Sequence, residues 1–171
     1  KKKKKCSGNI AASSAPQVFI NEGRNRFELS GQVNGHFLVY SPQLILITGP
    51  VQYVNTSSNG LTQSSPLLGL VSRRSVEVAS RSTTGSGDLR IDAAIYAARR
   101  FSVRRFDDQH QGTLHIYGSL AAGSMSATEP RFTTRIEKDP RLDEMRPPGF
   151  PLTGQTILAE WNGTWLEQDN Q

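Results

Sequence analysis

The sequence predicts an all-β protein built as a parallel β-helix (β-solenoid), in which successive windings of the chain stack on one another. A phrase recurs along the chain: alternating apolar residues, a small or polar residue, and a further apolar position. It is found at 27–33, 46–51, 89–95 and 114–120. One winding cannot bury its own apolar face, so stacked windings need such a repeat. The apolar fraction of 36% suits a thin core, and 15 Gly and 9 Pro favour turns over helices.

Short strands are predicted in chain order, each bounded by turn residues. The first three lie at 18–20, 26–33 and 37–40, separated by turns at 21–23 and 34–35. The stretch 44–53 is apolar and β-branched, with Pro50 where a corner would lie. Loops are predicted at 55–66 and 80–87, with strands at 67–72 and 75–79 between them.

The segment 89–97 has a composition that a short helix would also accept. We interpret it as a strand because Leu89, Ile91, Ala93 and Ile95 alternate and the phrase matches its neighbours. The alternation continues at 101–106, and a last strand is predicted at 114–122.

Three regions are predicted. Residues 1–16 form a polar, flexible linker or tag, and residues 17–124 form the solenoid. Residues 125–171 hold five of the nine prolines and both Trp, which predicts a largely irregular cap over the exposed end of the solenoid. The recurring phrase stops at about residue 124, and few strand signals follow it.

The net charge of +5 comes from the first five residues, all Lys; the remaining 15 basic residues balance 15 acidic ones. Such a run can bind nucleic acid or acidic lipid, or be a solubility feature, a cloning feature or a linker remnant. The chain lacks an initiator Met and an apolar run of about 20 residues. We therefore expect a soluble piece of a longer protein whose upstream membrane helix is missing. Cys6 is the single Cys, which excludes an internal disulfide and a Cys-based metal site.

A basic segment is the main candidate for a binding role. Eight arginines lie within residues 73–105, and on successive windings they would line up as a stripe that follows a phosphate backbone. The alternative is a solvated edge whose charges discourage strand pairing. The candidate ligands of DNA or another anion are Arg73, Arg74, Arg81, Arg99, Arg100, Arg104 and Arg105.

No catalytic residue, metal ligand set or cofactor site is predicted. The run Asp107-Asp108-Gln109-His110 could suggest a polysaccharide-active enzyme, but general acid–base work needs two carboxyls facing each other across a substrate. We interpret it as a solvated turn. Trp161 and Trp165 either stack on a sugar, as in a glycan-binding adhesin, or pack on the end of the solenoid.

Five motifs occur in a fixed order: LGLV at 68–71, DAAI at 92–95, GTLHIYGSL at 112–120, DPRL at 139–142 and PPGFP at 147–151. In this combination the chain resembles the C-terminal domain of pilin-like proteins of bacterial type IV pilus systems, the group with a PilX-like N-terminal part. The resemblance covers roughly residues 27–165.

The resemblance implies a right-handed β-solenoid outside the cytoplasmic membrane, at the cell surface or in the periplasm, with other pilus subunits as partners. It implies no catalytic residues. It also implies structural roles for Asp139 and for Arg141, which is expected to pair with a carboxylate or a strand-end carbonyl. The leading hypothesis is a non-enzymatic accessory domain that binds DNA or a surface ligand. A glycan-binding adhesin, a solenoid polysaccharide-active enzyme and an end-to-end polymer are the alternatives.

Overall fold

The structure, a computed structural model, describes residues 15–23, 25–54 and 65–151. This part of the chain is all-β apart from one turn of helix and one 3₁₀ turn. Its strands are β1 Gln17–Ile20, β2 Phe27–Val33, β3 His36–Ser41, β4 Leu44–Tyr53, β5 Leu67–Ser72, β6 Ser75–Val78, β7 Leu89–Ala97, β8 Arg100–Val103, β9 Gly112–Ala122 and β10 Phe132–Lys138. The helix α1 spans Arg81–Thr84 and the 3₁₀ turn spans Pro140–Asp143.

Every pairing between these strands is parallel, and the pairs fall into three series. The first series contains β1, β3, β5 and the second halves of β7 and β9. The second contains the first halves of β2 and β4, followed by β6 and β8. The third contains the second halves of β2 and β4, the first halves of β7 and β9, and β10. The chain visits the three series in turn.

Apolar side chains in equivalent positions of paired strands form the core. In the second series Ile45, Val76 and Phe101 are in register, and each is fully buried. In the third series Ile91 pairs with Ile116, again with both side chains fully buried. Paired strands therefore bury their apolar side chains in one shared core.

Several predictions about elements are confirmed. Residues 89–97 form β7 rather than a helix, and the strand is in register with β9 over its whole length. Near Pro50 the register between β2 and β4 shifts, where three residues of β4 lie opposite Ser30.

Two predicted elements differ from the structure. The segment 80–87, predicted as a loop, contains the single helical turn α1. Phe106 does not extend a strand; it lies in the turn after β8 and is exposed.

The segment after residue 124 is more regular than its composition indicates. Strand β10 lies within it and pairs with β9 from Phe132 to Lys138. Five of its seven residues are polar, so β10 lacks the apolar alternation that predicts a strand; it pairs with β9 alone and buries little. The 3₁₀ turn and four of the five prolines of this segment follow after β10, while Pro130 precedes it.

The end of the described chain is tied back to the start of β5. Arg141 donates hydrogen bonds to the Asp139 carboxylate, with Nη2–Oδ2 at 2.6 Å, and to the carbonyl oxygen of Pro66 from both terminal nitrogens at 3.1 Å. The predicted pairing of Arg141 with a carboxylate or a strand-end carbonyl is confirmed in both forms. Within the described ranges, no helix has the length and apolar character needed to cross a bilayer.

Candidate anion-binding site

The chain passes from the first strand series into the second through a tight corner, which recurs at 41–43, 72–74, 97–99 and 122–124. Backbone hydrogen bonds stack these corners directly. The Arg73 amide donates to the Ser41 carbonyl at 3.1 Å, and the Ala98 amide to the Ser72 carbonyl at 2.9 Å. The Gly123 amide then donates to the Ala97 carbonyl at 3.1 Å. Residues at equivalent positions of the corner therefore lie one above the other, about 4.8 Å apart.

Two buried serines shape this corner. Ser41 and Ser72 are both fully buried. The Ser72 hydroxyl donates to the Gln43 carbonyl of the corner below at 2.9 Å and accepts the Arg74 amide at 3.1 Å. These bonds satisfy the backbone groups that the sharp turn takes out of the sheet ladder. These hydrogen bonds hold the chain in the turn, so that the residues that follow each serine lie nearer the protein surface.

Four arginines lie at the two middle layers of this corner, hereafter the corner arginines: Arg73, Arg74 and Arg99 within it, and Arg100 at the first position of β8. All four are exposed. The Arg99 amide donates to the Arg74 carbonyl at 2.9 Å, which brings the two layers into direct contact. The layers on either side carry neutral side chains. The Gln43 side chain accepts a hydrogen bond from Arg74 at 3.0 Å, and the Ser124 hydroxyl accepts one from Arg100 at 3.4 Å.

Among the described residues, no carboxylate lies within 4.0 Å of any corner arginine. Other exposed arginines differ: Arg26 contacts Glu28 at 2.7 Å and Arg104 contacts Glu77 at 2.8 Å. Four like charges on two stacked turns repel one another, and an added anion would relieve that repulsion. The arrangement favours binding of a polyanion through its charge.

The other three candidate arginines lie at the opposite end of β6 and β8, where the chain enters the third strand series. This second corner holds Arg81, Arg104 and Arg105. The four residues of β6 separate the two groups by about 13 Å at about 3.3 Å per residue. The single stripe expected from the sequence is therefore divided into two groups, and Arg104 in the second is already paired with Glu77.

The remaining sequence candidates fall into two classes. Asp107, Asp108 and His110 lie in a turn at the surface, as predicted, and the His110 ring lies 3.1 Å from the Pro130 carbonyl oxygen. In the described part of the chain no three His, Cys, Asp or Glu side chains gather as they would around a metal ion. The lysine run at 1–5, Cys6, most of the loop 55–66, Trp161 and Trp165 lie outside the described residues.

Sequence reasoning missed a charged group in the interior. Arg131 is completely buried and donates to four neutral acceptors: the Ala79 and Arg104 carbonyls, the Thr84 hydroxyl and the Gln111 side chain. Burial lowers the pKa of Arg131 below its ordinary value, the Asp108 charge acts against this, and the Arg81 charge adds to it. No motif marks Arg131, because its acceptors come from four separate parts of the chain.

Comparison with protein-family models, with curated proteins and with solved structures finds no match to this chain.

Proposed function

We propose that this protein is a non-enzymatic binding domain that holds a polyanion, DNA in the first place, against the corner arginines. The observation that carries the proposal is the clustering of four exposed arginines on two adjacent layers, with Arg74 and Arg99 at equivalent positions and no described carboxylate partner for any of the four. Each strand of a DNA duplex presents one phosphate charge per about 3.4 Å of helix axis, of the same order as the spacing of about 4.8 Å between adjacent corners. We therefore expect the corner arginines to contact neighbouring phosphates of one DNA strand.

The fold that supports this role is proposed to be a right-handed β-solenoid with three faces, one for each strand series. Parallel pairing throughout and the regular passage of the chain from one series to the next support it. Connections between parallel strands are right-handed in about 98% of proteins, which supports that hand. A stack of this kind offers long, flat walls rather than a deep cleft, and a wall with a basic edge suits an extended ligand.

Recognition of DNA by this edge would be through charge and not through bases. The corner arginines contact no aromatic ring in the described residues that could stack a base beside them. If each of the four displaces one counterion, they contribute about −3.6 to the slope of log K against log salt, at about −0.9 per phosphate. Affinity should therefore fall steeply between low and physiological salt.

The test is a salt titration of duplex binding by fluorescence anisotropy. All proteins carry glutamine in place of the lysines at 1–5, so that this run cannot retain DNA by itself. The double variant Arg74→Gln/Arg99→Gln should lose about 1.8 units of slope. The matched control is Arg26→Gln/Arg135→Gln, which removes the same charge from two exposed arginines that already contact Glu28 and Glu137. Equal changes in the two doubles, or none in the first, would refute the proposal.

We also propose that the domain belongs to a pilin-like protein and works outside the cytoplasmic membrane with other pilus subunits. The support is that the motifs of the resemblance meet in space. Gly69 of LGLV lies against Pro147 and Phe150 of PPGFP, where an added Cβ would come within 2.8 Å of Pro147 and 2.9 Å of Phe150. Arg141 of DPRL binds the Pro66 carbonyl just before LGLV.

The coding sequence upstream of this chain tests the pilus proposal directly. A prepilin-type leader and apolar helix, with minor pilin genes beside it, is the expected result. An upstream domain of another class, with no leader, would contradict it. DNA binding by the corner arginines would stand in either case, because it depends on charge alone.

A further inference from the structure

The second corner contains a shallow, open depression that the proposed DNA edge does not use. It lies between the α1 turn and the turn that follows β8, with a volume of about 610 Å³. Its lining combines two cations, one carboxylate and three hydroxyls: Arg81, Arg105, Asp108, Ser80, Ser82 and Ser86. Hydroxyls and guanidinium groups together are the donors that oxyanions accept from most readily.

Neither cation in the lining is engaged elsewhere in the described chain. Arg81 and Arg105 have no carboxylate within 4.0 Å there, unlike Arg104, which contacts Glu77. Arg105 also has a φ of 50°, the only positive φ among the described residues other than glycine. A left-handed conformation costs an arginine about 1 kcal/mol. Such costs concentrate at sites that bind ligands.

A third guanidinium group lies close to this depression. Arg131 is completely buried, and its Nη2 donates to Thr84 of α1 at 2.9 Å while its Nη1 donates to the Arg104 carbonyl at 2.6 Å. It therefore bridges the two turns that form the depression. All its acceptors are neutral, so its charge is not cancelled by a contacting carboxylate.

The charges at this corner do not balance. Arg81, Arg105 and Arg131 contribute three positive charges and Asp108 one negative charge, while Arg104 and Glu77 cancel each other. The excess of about two positive charges equals the charge of a phosphate monoester near neutral pH. Asp107 and Asp88 lie nearby in the chain but are exposed and do not line the depression.

We infer that the depression between α1 and the turn after β8 binds a compact oxyanion, a phosphate or phosphate monoester, through Arg81 and Arg105. Arg131 holds the two turns in place and adds its field. Asp108 weakens the site, since its negative charge repels every anion that enters. The site is separate from the corner arginines and does not depend on DNA binding.

Isothermal titration calorimetry with inorganic phosphate, against sodium chloride of equal ionic strength, tests this inference. Arg81→Gln should weaken binding at least about tenfold, because it removes a charged hydrogen-bond donor. Arg105→Asn should do the same while keeping a residue that accepts a left-handed backbone. The control Arg135→Gln, at an exposed arginine on β10, should leave phosphate binding unchanged.

Asp108→Asn should change phosphate affinity in the opposite direction. Removing the carboxylate should tighten phosphate binding about three- to tenfold, a gain that a folding defect cannot produce. Absence of phosphate binding by the unaltered protein would overturn the inference. So would unchanged affinity in Arg81→Gln and Arg105→Asn, or weaker affinity in Asp108→Asn.

The source of the phosphate is resolved by two further ligands. A short oligonucleotide with a 5′-phosphate that binds more tightly than its 5′-hydroxyl counterpart assigns the site to nucleic-acid ends. Equal affinity of the two oligonucleotides, with phosphate still bound, assigns it to free phosphate or another monoester. The Arg74→Gln/Arg99→Gln double variant should retain phosphate binding, so failure of the DNA proposal is distinguished from failure of this one.

Discussion

Replacing Arg141 with Met should be among the most damaging single substitutions in this protein. Its side chain is 7% exposed, and the carboxylate it contacts, on Asp139, is 0% exposed. The substitution removes three bonds to that carboxylate, at 2.6–3.2 Å. It also leaves the Pro66 carbonyl without its two bonds from the guanidinium group. The cation packs on Tyr53 as well, at 5.4 Å from the ring centre.

The expected loss follows from the charge left behind. Removing one partner of a buried ion pair costs about 3–5 kcal/mol, since the other charge stays buried without compensation. A domain of this kind has about 5–15 kcal/mol of stability in total. Burial alone lowers the pKa of Arg141, but its bonds to Asp139 and the Asp139 charge outweigh burial and raise that pKa above its ordinary value. The guanidinium group is therefore charged at all ordinary pH values.

Urea denaturation followed by far-ultraviolet circular dichroism measures the loss. The double variant Asp139→Asn/Arg141→Met should be less destabilised than the sum of the two single variants, because it leaves no unpaired charge. Arg135→Gln, at an exposed arginine on β10, serves as the control and should change stability by less than about 0.5 kcal/mol. A cost below about 1 kcal/mol for Arg141→Met, or additive costs in the cycle, would refute the reasoning.

Two further predictions concern the backbone and the interior. Gly118→Ala should lower the free energy of unfolding by about 3 kcal/mol or more, because the new Cβ would lie 2.1 Å from the Ala93 carbonyl oxygen. The control Gly85→Ala, whose new Cβ meets no atom within 4 Å, should lower it by about 1 kcal/mol. Similar losses in the two variants, measured by denaturation, would contradict the steric argument. Burial raises the pKa of the Tyr53 phenol, which accepts the Leu68 amide, above its ordinary value. The unfolded phenol ionises at about pH 10, so the free energy of unfolding should fall as the pH rises beyond that value. The fall should be smaller in Tyr53→Phe, which lacks the phenol. An identical alkaline fall in both proteins would exclude this cause.

The apolar repeat was sufficient to predict much of the strand content. Alternation at Leu89, Ile91 and Ile95 identified β7 against its helical composition, because these side chains enter one shared core. It failed for β10, where Ile136 remains 50% exposed although it is in register with Ile116. A strand at the end of a stack buries one side only, so its apolar signal is weak.

The site was predictable in composition but not in arrangement. The arginine pairs at 73–74 and 99–100 are visible in the sequence, but the strand register offsets them by one residue, so that Arg74 lies beside Arg99 while Arg100 pairs with Ser75. The division into two groups was not predictable, since it depends on the length of β6 and β8 between the corners. The pairing of Arg104 with Glu77 also joins residues 27 positions apart.

By itself the sequence determined that the chain is all-β, where most strands lie, and that basic side chains accumulate between residues 73 and 105. These properties depend on local alternation and composition, which each segment carries alone. Only the tertiary structure decided which arginines become neighbours, which one is buried, and how DPRL and PPGFP reach LGLV. Those contacts join residues 20 to 81 positions apart, and their geometry arises from the register of paired strands, which no single segment specifies.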